Sequence, residues 1–302
     1  MRFNGTRVVV AAVVALVGTA VVVAGAARPN GGLAPGVQVE RGLLVTVLDK
    51  GNNPLRDLIT KDFLVYEDGV QREVTGAELT TAPMSITMLV DTTKSAPGVI
   101  EPTRDIRTSL LTFVQTVQAA VPATEVSIYE FAGAGVLLRS FTSKPEDLAK
   151  SITRIVPNQR INAVMLETLL DAAKDIRKRP GPRRVILTID RGSGESSRVQ
   201  PQKVADEVQL SGASLWAISV ASTSGTVAPD RDTLLDIVTE GTGGIRLTAQ
   251  LSSGLETMTK QVAAAITSQY LVTYSRPDGP PSRSVVPAAT RGAKFLRARS
   301  VQ

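Results

Sequence analysis

The sequence predicts a three-layer α/β fold, a doubly wound and mostly parallel sheet, to which the two ends of the chain add a small β-sandwich. Two observations carry this. Between residues 84 and 268 short apolar strands alternate with amphipathic helical segments, the pattern of a sheet covered on both faces. On either side of that stretch, residues 38–80 and 269–302 read only as strands and turns. A segment of roughly 40 residues cannot bury a core of its own, so the two flanks are expected to pack together.

The first 27 residues carry Arg2 and Arg7, no acid, and an apolar run over 8–27 ending in Ala24-Gly25-Ala26-Ala27. This reads as an export signal. The run is also long enough for a ~30 Å hydrocarbon layer, so an uncleaved membrane anchor is the alternative. Either reading places the rest of the chain outside the cytoplasm: periplasmic, secreted or membrane-anchored. Residues 28–37, rich in Gly, Pro and Asn, form a linker.

Strands are then expected at 43–49, 63–67 and 71–79, with Asp68-Gly69 as the hairpin turn between the last two. An apolar strand at 86–90 leads to a helix at 103–120, where Ile106, Leu110, Phe113, Val114 and Val117 share a face. Strands follow at 126–131 and 136–138, and helices at 145–156 and 163–177. The apolar strand 185–189 precedes a helix at 201–210, a strand at 215–220, a helix at 233–238, a strand at 245–247 and a closing helix at 255–266. The final strands are expected at 269–275 and 294–299. Tyr129, Phe131 and Trp216 lie on buried strands and are assigned to the core.

Composition narrows the chemistry. The 302 residues include no His and no Cys, which removes Ser-His-Asp and Cys-His nucleophilic sites, the usual zinc ligand sets and disulfides. Any metal must be held by oxygen. The formal charge is +6, and without residues 1–27 there remain 32 basic against 28 acidic residues, too mild an excess to suggest nucleic acid. The basic residues cluster at Arg177, Lys178, Arg179, Arg183 and Arg184, and again at Arg283, Arg291, Lys294, Arg297 and Arg299. They suit either an anionic surface or an ordinary role at helix C-termini and edge strands.

In open α/β sheets, ligands bind beyond the C-terminal ends of the strands, where the strand order reverses. Strand 86–90 ends in Asp91-Thr92-Thr93-Lys94-Ser95, a carboxylate with two alternate hydroxyls, and strand 185–189 ends in Asp190-Arg191-Gly192. Such an oxygen-rich arrangement suits a hard cation such as Mg²⁺. Enzymatic signatures are weak. Gly192-x-Gly194 lacks the third glycine of a dinucleotide loop, Thr257-x-x-Lys260 falls inside a regular helix, and the carboxylate pair lacks a second activated group. No catalytic activity is expected, with a hydrolase as the distant alternative.

These residues resemble the von Willebrand factor type A (vWA) domain, and specifically the exported bacterial proteins in which that domain follows a short β-rich leader. Asp91, Thr93 and Ser95 match the family's Asp-x-Ser-x-Ser metal motif with Thr in the first hydroxyl position. Asp190 and Gly192 are similar to its Thr-Asp-Gly strand end, altered by Arg191. Thr242-Gly243-Gly244 is similar to the Thr-Gly-Gly before its last strand. Lys61-Asp62-Phe63 with Glu67-Asp68-Gly69, and Gln269-Tyr270 with Tyr274, resemble the leader and closing elements of the exported group.

The resemblance implies a protein-interaction module of adhesion type. In it, Asp91, Thr93, Ser95 and Asp190 would hold Mg²⁺ and an acidic group of a partner protein would complete the site. It also exposes departures. The third-loop threonine of the family falls on Ala163, with Asn162 one residue out of register, and Lys94 and Arg191 add positive charge where the cation would sit. The alternative is therefore a metal-free domain with a dead site, in which Lys94 or Arg191 replaces the cation and pairs with Asp91 or Asp190.

Overall fold

The computed structural model describes residues 37–95, 98, 100–160, 162–221, 228–292 and 294–301. The export segment or anchor at 1–27 and nearly all of the 28–37 linker lie outside the described residues. Among the described residues no helix is long and apolar enough to cross a membrane.

The strands are β1 (Gln38–Leu48), β2 (Phe63–Glu67), β3 (Val70–Leu79), β4 (Ser85–Asp91), β5 (Glu125–Phe131), β6 (Gly135–Thr142), β7 (Asn162–Ala163), β8 (Arg184–Asp190), β9 (Gly194–Glu195), β10 (Ala213–Val220), β11 (Arg246–Ala249), β12 (Tyr270–Pro277), β13 (Val285–Ala289) and β14 (Lys294–Val301). The helices are α1 (Thr103–Ala120), α2 (Pro145–Thr153), α3 (Met165–Arg177), α4 (Pro201–Ser211), α5 (Pro229–Thr242) and α6 (Leu255–Ile266).

Six strands form the α/β sheet in the order β11-β10-β8-β4-β5-β6. All neighbours are parallel except the hairpin partner β6. Strand β4 is flanked by β5 on one side and β8 on the other, so the order reverses between β4 and β8. Their C-terminal residues, Asp91 and Asp190, therefore end side by side. Two apolar clusters show the three layers: α1, α2 and α6 pack on one face through Phe113, Leu148 and Val262, and α3, α4 and α5 on the other through Leu169, Val204 and Leu235. Tyr129, Phe131 and Trp216 are buried as expected.

The chain ends pair as expected, but their β-sandwich takes the form of one continuous antiparallel sheet, β13-β2-β3-β12-β1-β14. Laid flat, its edge strands would stand roughly 24 Å apart. The link from Ala289 to Lys294 spans at most roughly 18 Å, so the sheet must coil. Its concave side encloses Leu43, Val45, Phe63, Val65, Tyr270 and Val272. The Asp68-Gly69 turn has positive φ at both residues, 49° and 80°, as a two-residue hairpin of right-handed twist requires.

Several boundaries differ from expectation. Helix α2 ends at Thr153 instead of 156 because Pro157 disfavours helical geometry at Val156. Helix α5 is longer than 233–238, beginning with Pro229 in its first turn and ending on Gly243 in the left-handed conformation. Ala163, assigned to the start of a helix, lies instead in β7, which pairs in parallel with β9. Strand β13 was not foreseen; it contains Pro287, which an edge strand tolerates.

The coiled sheet and the α/β sheet belong to one unit spanning residues 37–302. Arg183, expected among the surface cations, is instead 3% exposed. Its guanidinium donates to Ile266 O (2.8 Å), Gln269 Oε1 (3.2 Å), Thr80 O (3.4 Å) and Ala82 O. Of the other members of that cluster, Arg177 pairs with Glu207, Lys178 with Asp175 and Arg179 with Glu125, and Arg184 donates to Arg179 O and Ser211 O, which supports the structural reading over an anionic-surface site. Replacing Arg183 with Met leaves these acceptors without a donor and should cost about 3–5 kcal/mol in urea unfolding.

The Thr-Gly-Gly segment has a packing reason. Thr242 Oγ1 accepts Leu215 N–H at 2.9 Å, and a Cβ on Gly244 would lie 1.8 Å from Leu215 O. Gly243, at φ 82°, only caps the helix. Gly244→Ala should therefore destabilise by about 3 kcal/mol or more, because backbone must move. Gly243→Ala should cost about 1 kcal/mol, the two being compared by the same denaturation.

Candidate functional site

The crevice opens where β4 and β8 end, and the two carboxylates there are fully buried. Asp91 Oδ1 accepts Thr93 N–H (2.9 Å) and Thr93 Oγ1–H (2.6 Å); Oδ2 accepts Ser193 Oγ–H (2.7 Å) and Arg191 N–H (3.1 Å). Asp190 Oδ1 accepts Gly192 N–H (3.0 Å), and Oδ2 accepts Ser219 Oγ–H (2.6 Å). Burial holds the Asp190 carboxyl above its usual pKa, opposed mainly by the Arg231 guanidinium 4.0 Å away.

Arg191 occupies the mouth of the Asp91–Ser95 loop. Its guanidinium donates to Thr93 O and Ser95 Oγ, and its Nη1 lies 2.8 Å from Glu101 Oε1. The other oxygen of Glu101 accepts Ser95 N–H at 3.1 Å. The expected replacement of the cation by a basic side chain thus falls to Arg191, but it pairs with Glu101 and not with Asp91 or Asp190. Lys94 is exposed and reaches Gln159 Oε1 at 3.5 Å, away from both aspartates' hydrogen bonds.

The loops are also tied to one another. Lys94 N–H donates to Arg160 O and Asn158 N–H to Thr92 O. The β7–β9 pairing joins the loop before α3 to the loop after β8. Ala163 is buried, and its carbonyl accepts Ser196 N–H at 2.8 Å, while Asn162 is exposed. The first turn of α3 is capped from the neighbouring loop: Glu195 Oε1 accepts Met165 N–H and Ser197 Oγ accepts Leu166 N–H, each at 3.1 Å.

The residues present do not fit Mg²⁺. Ala163 offers no side-chain oxygen, the Ser95 hydroxyl already holds a guanidinium, and that positive group opposes a second cation by several kcal/mol. Among the described residues no three acidic side chains converge as a metal cluster.

Six contributors escaped the sequence reading: Glu101, Ser193, Glu195, Ser197, Ser219 and Arg231. Only Arg231 left a signal, as a cation on the apolar stripe Arg231, Leu234, Leu235 and Val238 of α5. It is 3% exposed and donates to Ser193 O at 2.7 Å.

Neither a known protein family nor a curated protein matches the sequence. Solved structures do. A von Willebrand factor type A protein from Catenulispora acidiphila superposes with a TM-score of 0.50 at 10% identity, over 78% of this chain and 52% of that one. Proximal thread matrix protein 1 from the mussel byssus superposes with a TM-score of 0.52 at 12% identity, over 67% and 50%. The chain spans about half the length of these solved chains. With the strand order above, they define the fold as that of a vWA domain, as the sequence resemblance implied.

Burial pushes the Glu195 carboxyl above its ordinary pKa, chiefly by desolvation. A raised folded value means that its contribution to stability is complete below the unfolded pKa and is lost as pH rises through the folded one. Glu195→Gln abolishes that titration. The melting temperature of the variant minus that of the parent should therefore increase as pH rises from about 4 to about 7, measured by thermal melts.

Proposed function

We propose that this protein is an extracytoplasmic protein-interaction module that captures acidic side chains of a partner protein at the β4/β8 crevice without a metal ion. The observation that carries this reading is Arg191, a guanidinium held by Thr93 O and Ser95 Oγ where the fold presents its strand ends. The rim adds charge of the same sign. Lys94, Arg160 and Arg198 are exposed on loops at that sheet edge, and none has a carboxylate within ion-pair distance among the described residues. Ile100, 91% exposed, and Val156, 59% exposed, supply apolar surface beside them. A cationic, partly apolar rim suits an acidic protein segment. The apolar run at 8–27 supports a location outside the cytoplasm or anchorage to a membrane.

Binding is favoured over catalysis because Asp91 and Asp190 are committed to hydrogen bonds, and Lys260 pairs with Glu256 at 2.8 Å instead of activating Thr257. The second reading, a scaffold whose crevice binds nothing, is separated by experiment. Poly-L-glutamate binding should persist in EDTA and weaken about tenfold on Lys94→Glu with Arg160→Glu, while the same reversals at Lys174 and Lys178 on α3 have little effect. Loss of binding in EDTA would establish a metal site, and equal effects of the two pairs would leave only nonspecific charge attraction and favour the scaffold.

A further inference from the structure

Arg191 is not an empty receptor, because the chain already presents a carboxylate to it. Glu101 stands ten residues beyond Asp91 in sequence and just ahead of α1. Its Oε1 is 2.8 Å from Arg191 Nη1, and its Oε2 accepts the Ser95 N–H. Arg191 side-chain exposure is 9%, that of Glu101 31%, so Glu101 is the more solvent-exposed member of the pair. The guanidinium is held by Thr93 O and Ser95 Oγ, fixed by Asp91 through the Thr93 hydrogen bonds.

We propose that Glu101 is a resident occupant of the Arg191 site, and that an incoming carboxylate binds by displacing it. The inference rests on the acid-capture reading above and adds how the site is regulated.

Two features favour displacement over a permanent lock. The Glu101 Oε1 contact is an ion pair without a well-directed hydrogen bond, so Oε1 has no donor satisfying it. Arg191 Nε–H, in turn, has no acceptor among the described residues. A guanidinium binds a carboxylate best through two parallel N–H donors. The present pairing uses neither in a well-directed bond, and a free carboxylate, not tethered to this chain, can adopt the two-donor geometry. Glu101 therefore lowers the apparent affinity by competing from within the chain, and keeps the guanidinium neutralised until an acidic group arrives at sufficient local concentration.

The test is a titration of the protein with glutarate, against sodium chloride at equal ionic strength, followed by the arginine Nε–Hε resonances in nitrogen-15 correlation spectra. The Arg191 resonance is assigned by its absence in Arg191→Lys. Glu101→Gln keeps an acceptor for Ser95 N–H while removing the competing charge. It should bind glutarate about tenfold more tightly than the parent, with the Arg191 resonance moving, and Arg191→Lys in that background should abolish the gain. Glu101→Ala, checked by thermal melts, serves the same purpose if the Gln variant is poorly folded. Equal affinity of parent and both Glu101 variants would overturn the occupant role while leaving acid capture standing. No glutarate binding by any of the proteins, with the Arg191 resonance unmoved, would overturn both.

Discussion

The buried guanidinium of Arg183 joins the two halves of this molecule. The chain enters the α/β sheet through residues 80–85 and leaves it through 266–270, and both crossings converge on one side chain. The backbone reinforces the junction, with Thr80 N–H donating to Gln269 O and Ser85 N–H to Arg183 O, each at 2.9 Å. Among the described residues no carboxylate faces the guanidinium, and desolvation pulls its pKa down to about 10, still high enough for it to stay charged at neutral pH. A charge buried against carbonyls alone is tolerated only because several acceptors meet it at once. Those acceptors come from residues on both sides of the α/β segment, so the coiled sheet and the α/β sheet must be in place together.

A similar economy of donors operates at the crevice. The sequence resemblance implied a cation shared between the strand-end loops. Here the same task falls to covalently attached groups. Arg191 spans the Asp91–Ser95 loop, Ser193 reaches Asp91, Arg231 holds Ser193 O beside Asp190, and β7 pairs with β9. The Arg231 and Arg246 guanidinia extend the network through Asp232, and Arg246 Nε also reaches Ser219 Oγ at 3.1 Å. The buried Asp190 is thereby faced by the Arg231 guanidinium and Asp91 by N–H and O–H donors, none of which a chelator can remove.

The strands that build the α/β sheet were legible because burial on both faces leaves them almost wholly apolar, as in 86–90 and 185–189, where Thr87 and Thr188 are the single polar residues. Helix α1 was legible from its apolar spacing. Strands β7 and β9 were not, since two residues carry no period, and β13 was obscured by Pro287. The pairing of the two chain ends followed from a count of what 40 residues can bury, but their closure into a single coiled sheet followed only from the register of β13 and β14.

The sequence by itself determined the fold class, the crevice and the convergence of Asp91, Thr93, Ser95 and Asp190, because strand ends and sheet order are set by local pattern and connection rules. It also disclosed the anomalies at Lys94, Ala163 and Arg191. Only the tertiary structure decided what the anomalies mean. Arg191 bonds to Thr93 and Ser95, nearly 100 residues earlier in the chain, and to Glu101, which no motif marks. A long, flexible side chain chooses its partners from whatever the assembled loops place within reach, and that choice is made by packing and charge in three dimensions.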